Sequence, residues 1–327
     1  MSDLYTLLPQ IELESGPWVL VTLVETRGST YRKPGAHLLF NGEGHVGMLS
    51  GGCLEAEVAS RCQPVLQGSK QTMEMTIDTR RLLGCDGQVV LIAERLPQEL
   101  PALVEKTRET RRSLTLYTHR PGPNWQPTSA VKGSGESYEH LLLPPTRLLV
   151  FGSGPGVPPL LKMGDALEWQ TEQIVLSSDP AVARHKQPSW RVLPNATALE
   201  QLKVDRRTAC VVMNHHVGRD AEVLSELWTT STPYLGLLGS RKRRDEILER
   251  LAFRSHQPVD LDSRHLYAPV GLDLGAEGAA QIALEICAQI QQVWSKVGQC
   301  SGDSSLPRTT GRPVALARTF PPDCAAG

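Results

Sequence analysis

Two cysteines stand where a thiol could do chemistry. In SGGCLE (50–55), Cys53 follows Gly51 and Gly52 and opens a predicted helix. There the helix N-terminus stabilises a thiolate, and the missing side chains leave room for a ligand. In LLGCDGQ (82–88), Cys85 sits between Gly84 and Gly87 just before a predicted strand. Accessible thiols on glycine-lined loops suit a soft metal or a sulfur ligand, so Cys53 and Cys85 are the candidate metal ligands. RGSTYRKPGA (27–36) adds a flexible turn carrying Ser29, with two cations, Arg32 and Lys33, beside it.

A second constellation lies further along. GSGPGV (152–157) follows a predicted strand and opens a helix, which is the setting of a phosphate-binding turn. Gly152 permits the tight turn, and Gly154 lets backbone N–H groups approach a phosphate at the helix N-terminus. The place of a third glycine is taken by Val157, and Pro155 removes a donor from the loop, so tight NAD(P) binding is not expected. Asp179 ends the next strand, where a ribose-binding carboxylate could sit. Asn214, His215 and His216 end a further strand, with Asp220 opening a helix after them. In GSRKRRDEIL (239–248), Ser240 can cap a helix whose first turns are loaded with cations from Arg241 to Arg244. Basic residues at a helix N-terminus oppose the macrodipole, which favours anion contact there.

The elements that must position these residues divide into two halves. Residues 18–26, 36–40, 45–49, 72–78, 88–96 and 114–118 read as strands, 53–66 as a helix, and 98–112 as a charged helix. Residues 120–137, dense in Pro, Gly and Ser, read as a loop or linker. From 147 the pattern becomes regular strand–helix alternation, with apolar strands at 147–152, 173–179, 191–194, 208–214 and 234–240 and a long helix over 276–296. Such alternation implies a parallel sheet covered on both faces. The fold class is therefore α/β: an N-terminal mixed α/β domain (1–120), a linker (121–145), a C-terminal Rossmann-like parallel-sheet domain (146–297), and a disordered tail (298–327) dispensable for folding.

Composition narrows the function classes. Among 327 residues, Lys plus Arg is 34 and Asp plus Glu is 35, a formal net charge of -1 that gives no general pull toward nucleic acid or anionic membrane. No run of apolar residues is long enough to span a bilayer, and the first residues carry no secretory pattern, so a soluble cytoplasmic protein is expected. The seven cysteines contain no C-x-x-C, which speaks against a disulfide framework or a structural zinc site. Cys210 and Cys287 fall in apolar patterns and read as core residues.

RGSTYRKPGA, GMLSGGCLE and GCDGQVVL resemble the N-terminal domain of the XdhC/CoxI family. LLVFGSGPG, VVMNHHVGRD, YLGLLGSRKRRDEIL and APVGLDLGAEGAAQIALEI resemble its C-terminal Rossmann-like domain in order and spacing. The likeness spans about residues 15–295. It implies an accessory maturation factor for molybdenum hydroxylases such as xanthine dehydrogenase. Such a factor binds molybdenum cofactor, as molybdenum–molybdopterin or its nucleotide form, and protects it during sulfuration with a cysteine desulfurase. It then delivers the cofactor to an apo molybdenum hydroxylase. On this likeness Cys53 and Cys85 approach the molybdenum centre, and Ser29, Arg32, Gly51, Gly52, Gly152, Gly154, His215, Ser240 and Arg241 complete the candidate cofactor-binding set. The sequence departs from the family pattern at Tyr31, where proline is usual, at Pro155, where histidine is, and at the second histidine of the segment 214–220. The N-terminal motifs are thus nearly intact and the Rossmann-like motifs eroded, which favours a carrier, acting as a homodimer, over an enzyme. An NAD(P)-dependent oxidoreductase and a nucleotidyl-transfer enzyme acting on the pterin remain the alternatives. The site is expected in a cleft between the two domains.

Overall fold

The computed structural model describes residues 3–12, 16–52, 54–79, 87–185, 187–255 and 266–300. The chain opens with a short helix, α1 (Leu4–Leu7), and enters the strand β1 (Val19–Gly28). Val19 to Val24 are all buried because alternation feeds two faces: Val19, Val21 and Leu23 join one apolar cluster and Leu20 another. Strands β2 (His37–Phe40), β3 (His45–Gly47), β4 (Thr72–Asp78) and β5 (Gly87–Arg95) complete an antiparallel sheet ordered β3-β2-β1-β5-β4.

Between β3 and β4 the expected single helix over 53–66 is two pieces, α2 (Glu55–Arg61) and α3 (Gln63–Leu66). Pro64 supplies no N–H to continue the first helix, so the chain restarts around it. Val58, Cys62 and Val65 from this pair fill the first apolar cluster. The other face is covered by α1, by α4 (Leu100–Thr110) and by the antiparallel hairpin of β6 (Leu114–His119) and β7 (Ser137–Leu142). That hairpin corrects the reading of 121–145 as a linker. Residues 137–142 are a strand, and the intervening loop is pinned to the sheet, where the Thr128 N–H donates to the buried Glu94 carboxyl at 3.0 Å and the Thr128 hydroxyl donates to the same group. Burial pushes the Glu94 carboxyl up to about 7.

The second half is an all-parallel sheet of β8 (Arg147–Phe151), β9 (Gln170–Leu176), β10 (Trp190–Leu193), β11 (Thr208–Val212), β12 (Tyr234–Leu237) and β13 (Leu266–Tyr267). Its order, β10-β9-β8-β11-β12-β13, is the doubly wound 3-2-1-4-5-6 arrangement counted from β8. Alternate residues again serve two layers. Leu149, Phe151, Cys210 and Val212 pack with Val223 and Leu224 of α7 (Val217–Leu227). Leu148, Val150, Ala209 and Val211 pack with Leu160 of α5 (Val157–Ala166) and Ile286 and Ile290 of α9 (Ala279–Cys300). The short helix α6 (Pro180–His185) and α8 (Arg241–Ser255) complete the connections. Residues 301–327 of the expected tail lie outside the described residues.

The halves meet through Arg111, which closes α4 in a left-handed conformation (φ 55°). Its guanidinium donates to Asp205 at 2.6 Å, to the Gln170 amide oxygen at 2.7 Å and to the Pro145 carbonyl at 3.1 Å. Arg207 adds a contact to the Pro144 carbonyl. Gln170 starts β9, and Asp205 and Arg207 precede β11, so the N-terminal half docks on the amino-terminal edge of the parallel sheet. We predict that Arg111→Met, which removes the cation from Asp205 and the donor from the Gln170 and Pro145 oxygens at a partly buried junction, destabilises the protein by roughly 2–3 kcal/mol. Urea unfolding followed by far-UV circular dichroism reads this as a lower midpoint; an unchanged midpoint would show that the junction contributes nothing.

Candidate functional site

The register of the N-terminal sheet gathers the glycine loops at one end. Gly28, the last residue of β1, pairs with Gly87, the first of β5, and Asp78 at the end of β4 pairs with Gln88. β3 also runs out toward this end, from His45 beside Phe40 to Gly47 beside Leu38. The loop 28–36, the turn 50–52 and the start of β5 therefore emerge together. A Cβ on Gly87 would lie 2.2 Å from the Ser29 carbonyl oxygen, so this close approach of the two loops requires glycine there.

The turn before Cys53 is held from beneath by a buried carboxylate. Glu55, 2% exposed, accepts from the N–H of Leu49 at 2.8 Å, the N–H of Ser50 at 2.7 Å and the Ser50 hydroxyl at 2.8 Å. The Ser50 oxygen in turn accepts from the N–H groups of Gly52 (3.2 Å) and Leu54 (3.0 Å). Gly51 and Gly52 are exposed with open space beyond them, and Gly52 is left-handed at φ 110°. The clamp thus presents bare backbone outward while satisfying every donor it buries. Burial would raise the Glu55 carboxyl, but the hydrogen bonds from Ser50 and Leu49 hold it below its usual value. Sequence reasoning missed Glu55, because Ser50 and Glu55 are five residues apart rather than at the spacing of a capping box.

Across this end, Ser29 is exposed and Arg32 is anchored by Asp3, which also holds the buried His37. Cys53 and Cys85 lie outside the described residues, so the side chains flanking them, rather than the thiols, define the site. The described cysteines behave as core. Cys62, Cys210 and Cys287 are buried, and burial pushes each thiol up to about 12, far from thiolate chemistry at neutral pH.

The Rossmann-like constellation assembles at the carboxyl edge of the parallel sheet, at the switch point between β8 and β11. A Cβ on Gly152 (φ 141°) would lie 2.5 Å from the Met213 carbonyl oxygen, so glycine is what lets the two strand ends close up. Gly154 and His215 meet: the imidazole stands where a Gly154 Cβ would be, at 2.7 Å, and His215 itself is left-handed (φ 56°). The ring therefore covers the backbone that a phosphate would approach. His216 caps α7 by accepting from the Arg219 N–H. Asp220, fully buried, accepts from the N–H and side-chain amide of Asn214 and pairs with Arg243 at 2.5 Å. Arg244 turns to Asp245 and the Ala268 carbonyl, which leaves Arg241 and Lys242 as the exposed cations beside Ser240. Asp179 is also engaged, accepting from the Ser153 hydroxyl and the Ala181 N–H at 2.9 Å each.

The contacts that join the halves do not themselves bring these two surfaces together at the expected cleft. The junction at Arg111 lies at the amino edge of the parallel sheet, and Gly152, Gly154, His215 and Ser240 lie at the other, about 16 Å away along a five-residue strand. The polarity of parallel strands sets this separation. Among the described residues, no group of three or more His, Cys, Asp or Glu is placed to hold a metal ion, and no helix is long and apolar enough to cross a membrane.

Comparison with known proteins matches both halves. Residues 13–77 match the model of the XdhC and CoxI family, and residues 148–290 that of the XdhC Rossmann domain. The chain is 29% identical over 339 residues to a protein of Bacillus subtilis named as a probable xanthine dehydrogenase subunit, covering 91% of this chain and 99% of that protein. It is 28% identical over 288 residues to the molybdenum cofactor insertion chaperone PaoD of Escherichia coli, covering 84% and 83%. A crystal structure described as a xanthine dehydrogenase from Bacillus halodurans superposes with a TM-score of 0.73 at 25% identity, covering 94% of this chain and 98% of that one.

Glu55→Ala strips the acceptor from two buried N–H groups and a hydroxyl, and we predict a loss of about 2–4 kcal/mol in urea unfolding at pH 7. The sign with pH follows from the lowered carboxyl: the clamp contributes fully above its usual 4.5 and is lost as pH falls through the folded value. The gap between wild type and variant should therefore shrink in acid; a gap that widens there would contradict the clamp.

Proposed function

The chain belongs to the XdhC/CoxI family, and from that premise we propose that it is an accessory maturation factor for molybdenum hydroxylases. It binds molybdenum cofactor as cargo, shields it while its terminal sulfur is installed by a cysteine desulfurase, and hands it to an apoenzyme such as apo-xanthine dehydrogenase. It works as a homodimer in the cytoplasm. The observation that carries this reading is the match along most of the chain to a relative named as a molybdenum cofactor insertion chaperone.

The glycine end of the antiparallel sheet is the cargo site in this reading. Gly51 and Gly52 give open backbone against which a flat pterin can lie, and Ser29 and Arg32 supply polar and cationic contacts for its phosphate. Cys53 and Cys85 are assigned to the molybdenum–sulfur end, as soft ligands for a soft centre. Gly152, Gly154, His215, Ser240 and Arg241 form a second surface on the far edge of the parallel sheet, apart from the cargo site within one chain. The oxidoreductase alternative finds less support there. Asp179, at the place of a ribose carboxylate, already holds Ser153 and Ala181, and His215 lies over Gly154.

The test is anaerobic purification followed by molybdenum analysis and fluorescence of the oxidised pterin. Wild type should carry both, and Cys53→Ala should carry about tenfold less with unchanged circular dichroism, the loss expected for one strong metal-directed contact. Equal molybdenum and pterin in the two proteins would sink the assignment of Cys53. Reduced nicotinamide recovered in place of a pterin would favour the oxidoreductase.

A further inference from the structure

The structure ties the loop carrying Arg32 to Asp3, 29 residues earlier, through a single carboxylate. Asp3 Oδ2 accepts from Arg32 Nη2 at 2.8 Å and from the His37 backbone N–H at 3.0 Å, and Asp3 Oδ1 pairs with His37 Nδ1 at 2.7 Å. The three groups differ in access. His37 is 1% exposed, the Asp3 side chain 14% and the Arg32 side chain 35%. His37 Nε2 is buried without a partner, and its ring lies 5.6 Å from that of His140 on the hairpin behind it. Among the described residues the imidazole therefore has one polar attachment, the Asp3 carboxylate, and fixes it from the buried side. Burial would raise the Asp3 carboxyl, yet His37 and then Arg32 hold it below its usual value.

Arg32 spends one N–H of its fork on this carboxylate, and its side chain stays 35% exposed in a loop that also carries exposed Ser29 and Lys33. A free arginine carries rotamer freedom that must be lost on gripping an anion. A guanidinium already held by one edge has lost part of it. We propose that Asp3 is a positioning residue, backed by His37, that pre-organises Arg32 to bind the phosphate monoester of the cargo. The inference rests on the cargo site placed at this end of the sheet and adds to it the residue that sets its anion affinity. Nothing in the sequence pointed to Asp3, since it lies outside every motif.

A double-mutant cycle tests it. Affinity is measured for molybdenum cofactor released from a purified molybdenum hydroxylase, and separately for inorganic phosphate, with Arg32→Ala, Asp3→Asn and the double variant. Arg32→Ala should weaken binding by about tenfold and Asp3→Asn by about threefold to tenfold, in the range of charge-assisted hydrogen bonds. The double variant should bind no worse than Arg32→Ala, because Asp3 acts only through that guanidinium. A purely structural Asp3 would instead add its loss to that of Arg32→Ala, and additive losses overturn the proposal, as does wild-type affinity in Asp3→Asn. If Asp3→Asn does not fold, Asp3→Glu takes its place in the same cycle under the same criterion. If wild type binds phosphate but not the cofactor, the cargo reading fails, and the phosphate arm alone decides the role of Asp3.

Discussion

The pairing of β1 with β5 is the constraint on which the candidate site depends. Because Gly28 faces Gly87 across the ladder, β1 and β4 end and β5 begins at the same end of one sheet, toward which β3 also runs. Side-chain period makes that register hard to slip. A shift of one residue would turn Val19, Val21 and Leu23 out of the cluster they share with Val58 and Val65 and present Leu20 and Thr22 instead. The apolar core thus fixes a geometry whose use lies at its rim, where the glycines leave backbone uncovered.

The parallel half obeys a different constraint. Its strands all point one way, so its glycine turn and its histidines collect at the carboxyl edge while the amino edge stays free for docking. Arg111 occupies that amino edge with three kinds of acceptor, and the N-terminal half is committed to it. At the carboxyl edge the polar groups are largely spent on one another: Asp220 on Asn214 and Arg243, Asp179 on Ser153 and Ala181. A Rossmann-like fold here coexists with a crevice organised around its own internal bonds.

Much of this was legible in the sequence, for physical reasons that also explain what was not. The strands 18–26, 88–96 and 208–214 are apolar runs long enough to leave little choice, and the glycine turn after 147–152 announces a doubly wound sheet. Strand β7 was missed because SYEHLL is laced with polar groups; it lies over the sheet face as part of a hairpin, and His140, half-buried, meets His37 there. The break at Pro64 was written in the chain but overridden by the apolar period on either side. Asp3 and Arg111 were invisible for a deeper reason. Their partners are 34 and 94 residues away, and a contact of that range has no local signature. The thiols show the complement: Cys210 and Cys287 sit in apolar patterns and are buried, whereas the glycine context of Cys53 and Cys85 is what set them apart.

In the proposed reading, cargo is held at the glycine end of the antiparallel sheet. Hydrogen–deuterium exchange with and without molybdenum cofactor addresses it directly, since amides in contact with cargo lose exchange. Protection is expected in peptides covering 28–36 and 49–55, with 152–156 and 213–216 unchanged. Protection confined to 152–156 and 213–216 would instead place the cargo on the Rossmann-like edge.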